Sequence, residues 1–168
     1  RPGSPTPRAM VADNDLALGR VVEAVSKSRF WAKSLILVTE DDAQDGLDHV
    51  DGHRTIALAV GPCIRRGALD STHYNHSSMV RTIQEIFRIP PRTRFLASAR
   101  PMTSVFTAEA DLAPYTHLPP EVDVNARNTA LAWGARESLA MDFSDYDRTP
   151  EFELNEILWK SVRGALSA

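Results

Sequence analysis

The run Ser34-Leu35-Ile36-Leu37-Val38-Thr39-Glu40-Asp41-Asp42, continued by Asp48-His49-Val50-Asp51-Gly52-His53-Arg54 and then by Thr55-Ile56-Ala57-Leu58-Ala59-Val60, decides how this chain is read. A short apolar segment leads into two adjacent aspartates. A polar loop with three more aspartates and two histidines follows, and a second apolar segment begins. Short, nearly continuous apolar runs are the pattern of buried parallel strands. Ligands in open α/β sheets bind at the carboxyl ends of such strands. Carboxylate oxygens together with imidazole at a strand end form a donor set suited to a catalytic divalent cation.

Outward from this stretch, helical and strand patterns alternate. Apolar positions Met10, Leu16, Leu18, Val21, Val22 and Val25 recur at near-helical spacing from Arg8 or Ala9 to about Val25, with Asp13 and Asp15 early in the pattern. Residues 26–33 turn the chain, and Phe30-Trp31 are expected to pack that turn on the core. Leu35–Val38 and Ile56–Val60 read as strands, the second stopped by Gly61-Pro62. Ser77 to Ile89 reads as an amphipathic helix with Met79, Val80, Ile83, Ile86 and Phe87 inward. Ser77 or Ser78 is its expected cap and Pro90-Pro91 its end. From Thr93 to Arg127 prolines at 101, 114, 119 and 120 and a lack of periodicity predict an irregular arm. Helices are expected over about 128–141 and 151–166, the latter with Thr149 as N-cap and Pro150 at its first position. The reading is a layered α/β domain: residues 1–92 form part of the core, and 93–168 form an arm and helices that pack on it.

Composition narrows the function classes. The 168 residues carry 43% hydrophobic and 24% charged side chains, ordinary for one globular domain. A net charge of −3, with only Arg65-Arg66 and Arg92/Arg94 as basic groupings, argues against a nucleic-acid surface. Cys63 is the single cysteine, which excludes an internal disulfide and a multi-cysteine metal site and reads as a half-buried inert thiol. No apolar run approaches the ~20 residues needed to span a bilayer. The first residues, Arg1-Pro2-Gly3-Ser4-Pro5-Thr6-Pro7, contain no Met and no leader pattern, and the chain is expected to be a fragment.

Adjacent residues on an extended strand point to opposite faces, so Asp41 and Asp42 can serve one ion only where the chain turns. The strand-to-loop junction supplies such a turn; the alternative is that both carboxylates cap an ordinary loop. His53 opens the next strand and can return toward the aspartates, whereas His49 and Asp48 lie mid-loop. The loop fits no calcium EF-hand register: with the motif glycine at Gly52 or at Gly46, apolar or glycine residues fall on ligand positions. His73 and His76 precede the third helix, whose N-terminus is an anion site through its free N–H groups. They can meet a phosphate there or reach a metal; otherwise one caps the helix and the other packs on Tyr74. His117, in the arm, reads as structural.

Taken together, 9–20, Ser28-Arg29-Phe30-Trp31, Val38-Thr39-Glu40-Asp41-Asp42, Asp51-Gly52-His53-Arg54 and 73–83 resemble the C-terminal half of the phosphoesterase family, the phospholipase-C-like and acid-phosphatase-like enzymes of the alkaline phosphatase superfamily. Bacterial members fused to a β-propeller are the most similar. The resemblance is clearest over 5–107. It implies an alkaline-phosphatase-like layered sheet with flanking helices and hydrolysis of phosphate esters through a phospho-enzyme. It also implies two divalent metal ions, with manganese, zinc, calcium and magnesium not distinguished. Carried over by position, Asp41 and Asp42 match a ligand pair of one ion, and His53, with His76 second, matches the ligand of the other. His73 faces the phosphate or leaving group. Asp42 stands where the superfamily often has His, which makes the site harder. The Ser or Thr nucleophile is expected upstream of Arg1, so this chain holds no catalytic nucleophile of its own.

Two readings follow. In one the chain is part of a metal-dependent phosphoesterase, inactive alone, whose partners are the phosphate ester and the missing N-terminal half. In the other it is a non-catalytic α/β binding module or structural remnant. A hydrolase built on Ser77 or Ser78 with His76 lacks a Gly-x-Ser-x-Gly elbow. An incomplete sheet leaves an unpaired edge and an uncovered apolar face, so the isolated chain is expected to self-associate.

Overall fold

The computed structural model describes residues 1–40, 55–145 and 148–167. Within them the chain forms five helices and one small sheet: α1 Pro7–Ser26, β1 Ile36–Thr39, β2 Ala57–Val60, α2 His76–Phe87, α3 Arg94–Ser98, α4 Ala135–Ala140 and α5 Glu151–Arg163. The mixed helix and strand architecture agrees with an α/β reading. The strand pair differs in one respect: β1 and β2 run antiparallel, with Ile36 opposite Val60 and Thr39 opposite Ala57. Their apolar runs pointed to buried parallel strands, yet β1 is half-buried and Ala57 and Leu58 of β2 are exposed. An apolar run records only the tendency to bury; direction follows from which neighbour the strand meets.

The chain divides into two units, and each is described by itself. The first gathers Arg1–Val21 with 116–167. Its N-terminal segment pairs with a distant one: Gly3 N donates to Asn128 O at 2.8 Å, Asn128 N to Ser4 O at 2.9 Å, and Thr6 N to Ala126 O at 3.0 Å. Two arginines cap helix ends. Arg1 donates to the carbonyls of Ser138 (3.1 Å) and Met141 (2.5 Å) beyond α4, and Arg8 to Val162 O (2.6 Å) in the last turn of α5. Cations there complement the helix dipole. Gly134 precedes α4 with φ of 72°, and a Cβ at this position would lie 2.5 Å from Cγ1 of Ile157 on α5. The glycine is therefore required both for its backbone conformation and for the close approach. His117 lies against Gly19 of α1, where a Cβ would come within 3.2 Å of its own, which fits a structural role.

The second unit gathers 22–40 with 55–115. Trp31, buried in a short 3-10 turn, meets Tyr115 edge-to-face at 6.0 Å between centroids, while neighbouring Phe30 is exposed. Arg66 lies 4.1 Å over the Tyr115 ring and pairs with Asp111 at 2.9 Å. Cys63 is exposed rather than half-buried. Its carbonyl accepts from Thr107 N at 2.8 Å, which fastens the 63–65 segment to 105–107.

Helix α2 falls where its periodicity predicts but turns the opposite side to its neighbours. Met79 is buried as expected, whereas Val80, Ile83, Ile86 and Phe87 are 44, 41, 50 and 69% exposed. Ser78, Thr82 and Gln84 are buried instead. Thr82 Oγ1 donates to Ser78 O (2.7 Å) and accepts from Met102 N (2.8 Å), so a hydroxyl, not an apolar stripe, joins α2 to the 101–105 segment. The helix ends at Arg88 in the left-handed region, before Pro90-Pro91.

Candidate functional site

The carboxyl end of β1 is the focus of the expected site. Ladder pairing of Thr39 with Ala57 brings the start of β2 alongside it, and Thr55 Oγ1 donates to the Glu40 carboxylate across the two strands. Asp41, Asp42 and His53, three of the four expected metal ligands, lie outside the described residues, as does Arg54. The fourth is His76, and its position is informative. It is the first residue of α2, and its Nε2 sits 3.1 Å from Thr39 Oγ1 and 3.4 Å from Glu40 O. A residue 36 positions downstream of Glu40 thus places an exposed imidazole at the strand end that runs directly into Asp41.

Local sequence fixes the start of α2. Asn75 is the N-cap: its Oδ1 accepts from Ser78 N at 3.0 Å, and Ser78 Oγ accepts from Asn75 N at 3.3 Å, forming a reciprocal capping box. The expectation that Ser77 or Ser78 caps this helix is corrected by this geometry. The usual signature ends in Glu or Gln, and Ser78 performs the same return bond with a shorter arm. The approach to the cap is pinned as well. Asp70 accepts from the Ser104 hydroxyl and from Thr72 N (2.9 Å), and the Tyr74 hydroxyl meets Ser104 Oγ at 2.5 Å. The Ser104 hydroxyl, with the Thr72 hydroxyl and amide, lowers the Asp70 carboxyl to about 2. A carboxylate stabilised in its ionised form by such donors anchors the loop that delivers His73, Asn75 and His76.

The two histidines before α2 serve different places. His73 does not share the strand end with His76; it lines a separate cleft of about 370 Å³ with Asn75, Ser77, Phe95, Ser98 and Arg100. Neither histidine caps the helix, and the Tyr74 hydroxyl bonds Ser104. Imidazole, guanidinium and the first turn of α2 give this cleft the chemistry to attract an anion. Sequence reading missed Arg100, Thr39 and Glu40 because only long-range packing brings them to these histidines. Asn75, by contrast, carried a local signal as an Asn three residues before Ser78.

Among the described residues no group of three or more His, Cys, Asp and Glu side chains surrounds a point suited to an ion. Nor is any described helix long and apolar enough to cross a membrane. No curated protein and no solved structure matches the chain. Residues 5–90 match the model of the Phosphoesterase family, a span just over half of the 168 residues that contains α1, β1, β2 and α2. The chain belongs to the phosphoesterase family, and hydrolysis of phosphate esters is the reaction class that membership implies.

Proposed function

We propose that the chain supplies one side of the active site of a metal-dependent phosphoesterase, in an alkaline-phosphatase-like layered domain whose Ser or Thr nucleophile and remaining ligands come from outside these 168 residues. Asp41 and Asp42 would hold one divalent cation, and His53 or His76 a second. The observation that carries this reading is the imidazole of His76 at the end of β1, its Nε2 3.1 Å from the hydroxyl of Thr39, the residue two before Asp41 in sequence. The donors fit such an ion by chemistry: carboxylates and a solvent-facing imidazole suit manganese, zinc, calcium or magnesium to differing degrees. Bound divalent cations would lower the nucleophile's pKa and neutralise the non-bridging oxygens of an ester in line for displacement, leading to a phospho-enzyme.

The chain's own residues supply orientation. His76 must offer a neutral ring nitrogen, and the hydroxyl of Thr39 at its Nε2 fixes which way the imidazole faces. The Thr55 hydroxyl holds the Glu40 carboxylate beside the strand end. His73, which lines the separate cleft at the foot of α2 with Arg100, would steady a phosphate oxygen or an anionic leaving group only if the substrate extends from the strand end into that cleft.

The test is turnover of p-nitrophenyl phosphate and its bis-ester with added manganese, zinc, calcium or magnesium. The isolated chain, the full-length parent and parent variants Asp41→Ala/Asp42→Ala and His76→Ala are compared. Loss of a residue that merely orients a ligand costs about 10–100-fold, so each variant should lose on the order of a hundredfold or more. Activity in the isolated chain would refute the external nucleophile. An unchanged His76→Ala parent would remove His76 from the site, and silence throughout would favour a non-catalytic binding module.

A further inference from the structure

In the first unit, the 1–8 segment, the start of α1 and helices α4 and α5 line a cleft of about 1000 Å³. Met10, Trp133, Phe143, Leu154, Ile157 and Leu158 make its apolar part. Of these Met10, Trp133, Phe143 and Leu158 stay exposed, so the lining is not closed by its own side chains. Its charge is one-sided. Arg1, Arg8, Lys160 and Arg163 line it, and among the described residues no aspartate or glutamate does, in a chain with net charge −3.

The cations are held largely by neutral groups. Arg1 and Arg8 bond the helix-end carbonyls given above, Lys160 Nζ donates to Ser167 O at 3.0 Å and lies 5.2 Å from the Trp133 ring, and Arg163 lies over Trp159. Among the described residues two carboxylates stand outside the lining: Glu156 at 3.7 Å from Lys160, and Asp142, whose charge is felt by Arg1. A helix end offsets about half a unit charge, so a positive rim remains around an apolar floor.

We infer that this cleft binds a single-chain anionic amphiphile of the long-chain carboxylate class. A small inorganic anion would leave the apolar floor unused, and an uncharged hydrocarbon would leave the positive rim without a full counter-charge. The volume lies in the range of pockets that enclose small ligands. The carboxylate meets the Arg/Lys rim and the alkyl chain covers Trp133, Phe143 and Leu158; no bond is made or broken. This inference does not depend on the phosphoesterase reading.

The 168-residue chain would be titrated below micelle formation with decanoate, laurate and myristate and with 1-dodecanol, followed by tryptophan fluorescence and calorimetry. Saturable binding is expected to tighten about two- to fourfold per added methylene, the upper figure being full burial. Laurate should bind at least about tenfold more tightly than dodecanol, a preference that fades between 50 and 500 mM salt. Arg163→Gln/Lys160→Gln should reduce laurate toward the dodecanol affinity, and Leu158→Gln should weaken both, with circular dichroism unchanged. Equal affinity for acid and alcohol, no saturable binding, or indifference to the substitutions would each overturn the inference. Should the double variant fail to fold, the salt dependence of laurate binding to the unmodified chain decides the same question.

Discussion

Replacing Thr82 by valine isolates the interaction that ties α2 to the segment beyond it. Thr82 is 3% exposed and Met102 4%, so the hydroxyl and the amide it serves are both shielded from water. Valine keeps the β-branched shape and nearly the same helix propensity, so neither a cavity nor a propensity change enters. Ser78 O retains the ordinary helical donor four residues on. Met102 N–H, however, loses its acceptor at 2.8 Å, and an orphaned buried donor costs about 1–3 kcal/mol. The expected loss is about 2 kcal/mol, which with a urea slope of about 1–3 kcal/mol/M moves the unfolding midpoint down by roughly 1 M. Thr82→Ser keeps the hydroxyl and removes one methyl, at about 1 kcal/mol. The urea midpoints should therefore run wild type, serine, valine. Apolar burial alone predicts the reverse order for the two variants, and a valine protein at least as stable as the serine one would refute the reasoning.

Asp70 links stability to acid. Its folded carboxyl titrates at about 2, below the ordinary value near 3.8, so the stability it contributes is complete above about pH 4 and disappears as pH falls through 2. The urea-midpoint difference between wild type and Asp70→Asn should be constant above pH 4 and shrink between pH 4 and 2; a constant difference down to pH 2 would count against the Ser104–Asp70 anchor. Gly134→Ala forces a side chain into positive φ and against Ile157. A loss of about 2–4 kcal/mol is expected from strain and overpacking together, read as a lower thermal midpoint, and an unchanged midpoint would contradict the α4–α5 packing described above. The uncovered residues Ile83, Ile86, Phe87 and Ile89 on and after α2 predict concentration-dependent association of the isolated chain in analytical ultracentrifugation. A monodisperse monomer at 100 µM-scale loading, on the order of a surface patch's weak self-affinity, would exclude it.

How far the sequence carried differs between the helices and the site, and α2 shows why. Proline and glycine act within a few residues, so the starts of α1, α2 and α5 were legible: expected starts at 8 or 9, 77 and 151 became 7, 76 and 151. The caps and lengths were not: Pro150, without a side-chain cap bond, precedes α5 while the expected cap Thr149 donates to Asp142 O, α5 stops at Arg163 rather than 166, and the helix expected over 128–141 is confined to Ala135–Ala140. The 93–127 arm was legible as irregular beyond residue 98, prolines excluding long regular elements, but α3 at Arg94–Ser98, capped by Thr93, was missed. Periodicity, by contrast, reports that Val80, Ile83, Ile86 and Phe87 share a face, not that anything covers it. The buried residues of α2 are Ser78, Met79, Thr82 and Gln84; the Ser78 and Thr82 groups are satisfied by Asn75 and Met102, while Gln84 Oε1 has no hydrogen-bond partner among the described residues. A helix that hides hydroxyls and exposes isoleucines is held here by hydrogen bonding, which specifies position more sharply than apolar contact does. That positioning is what the site needs: the same buried Ser78 that closes the cap sets the first turn, and the first turn sets His76 against Thr39. The pairing of 3–6 with 126–128 and of His76 with the end of β1 arises between residues too far apart for any local pattern to record. His76 therefore ranked behind His53 in the sequence, although it is the ligand candidate that the described fold brings to the strand end.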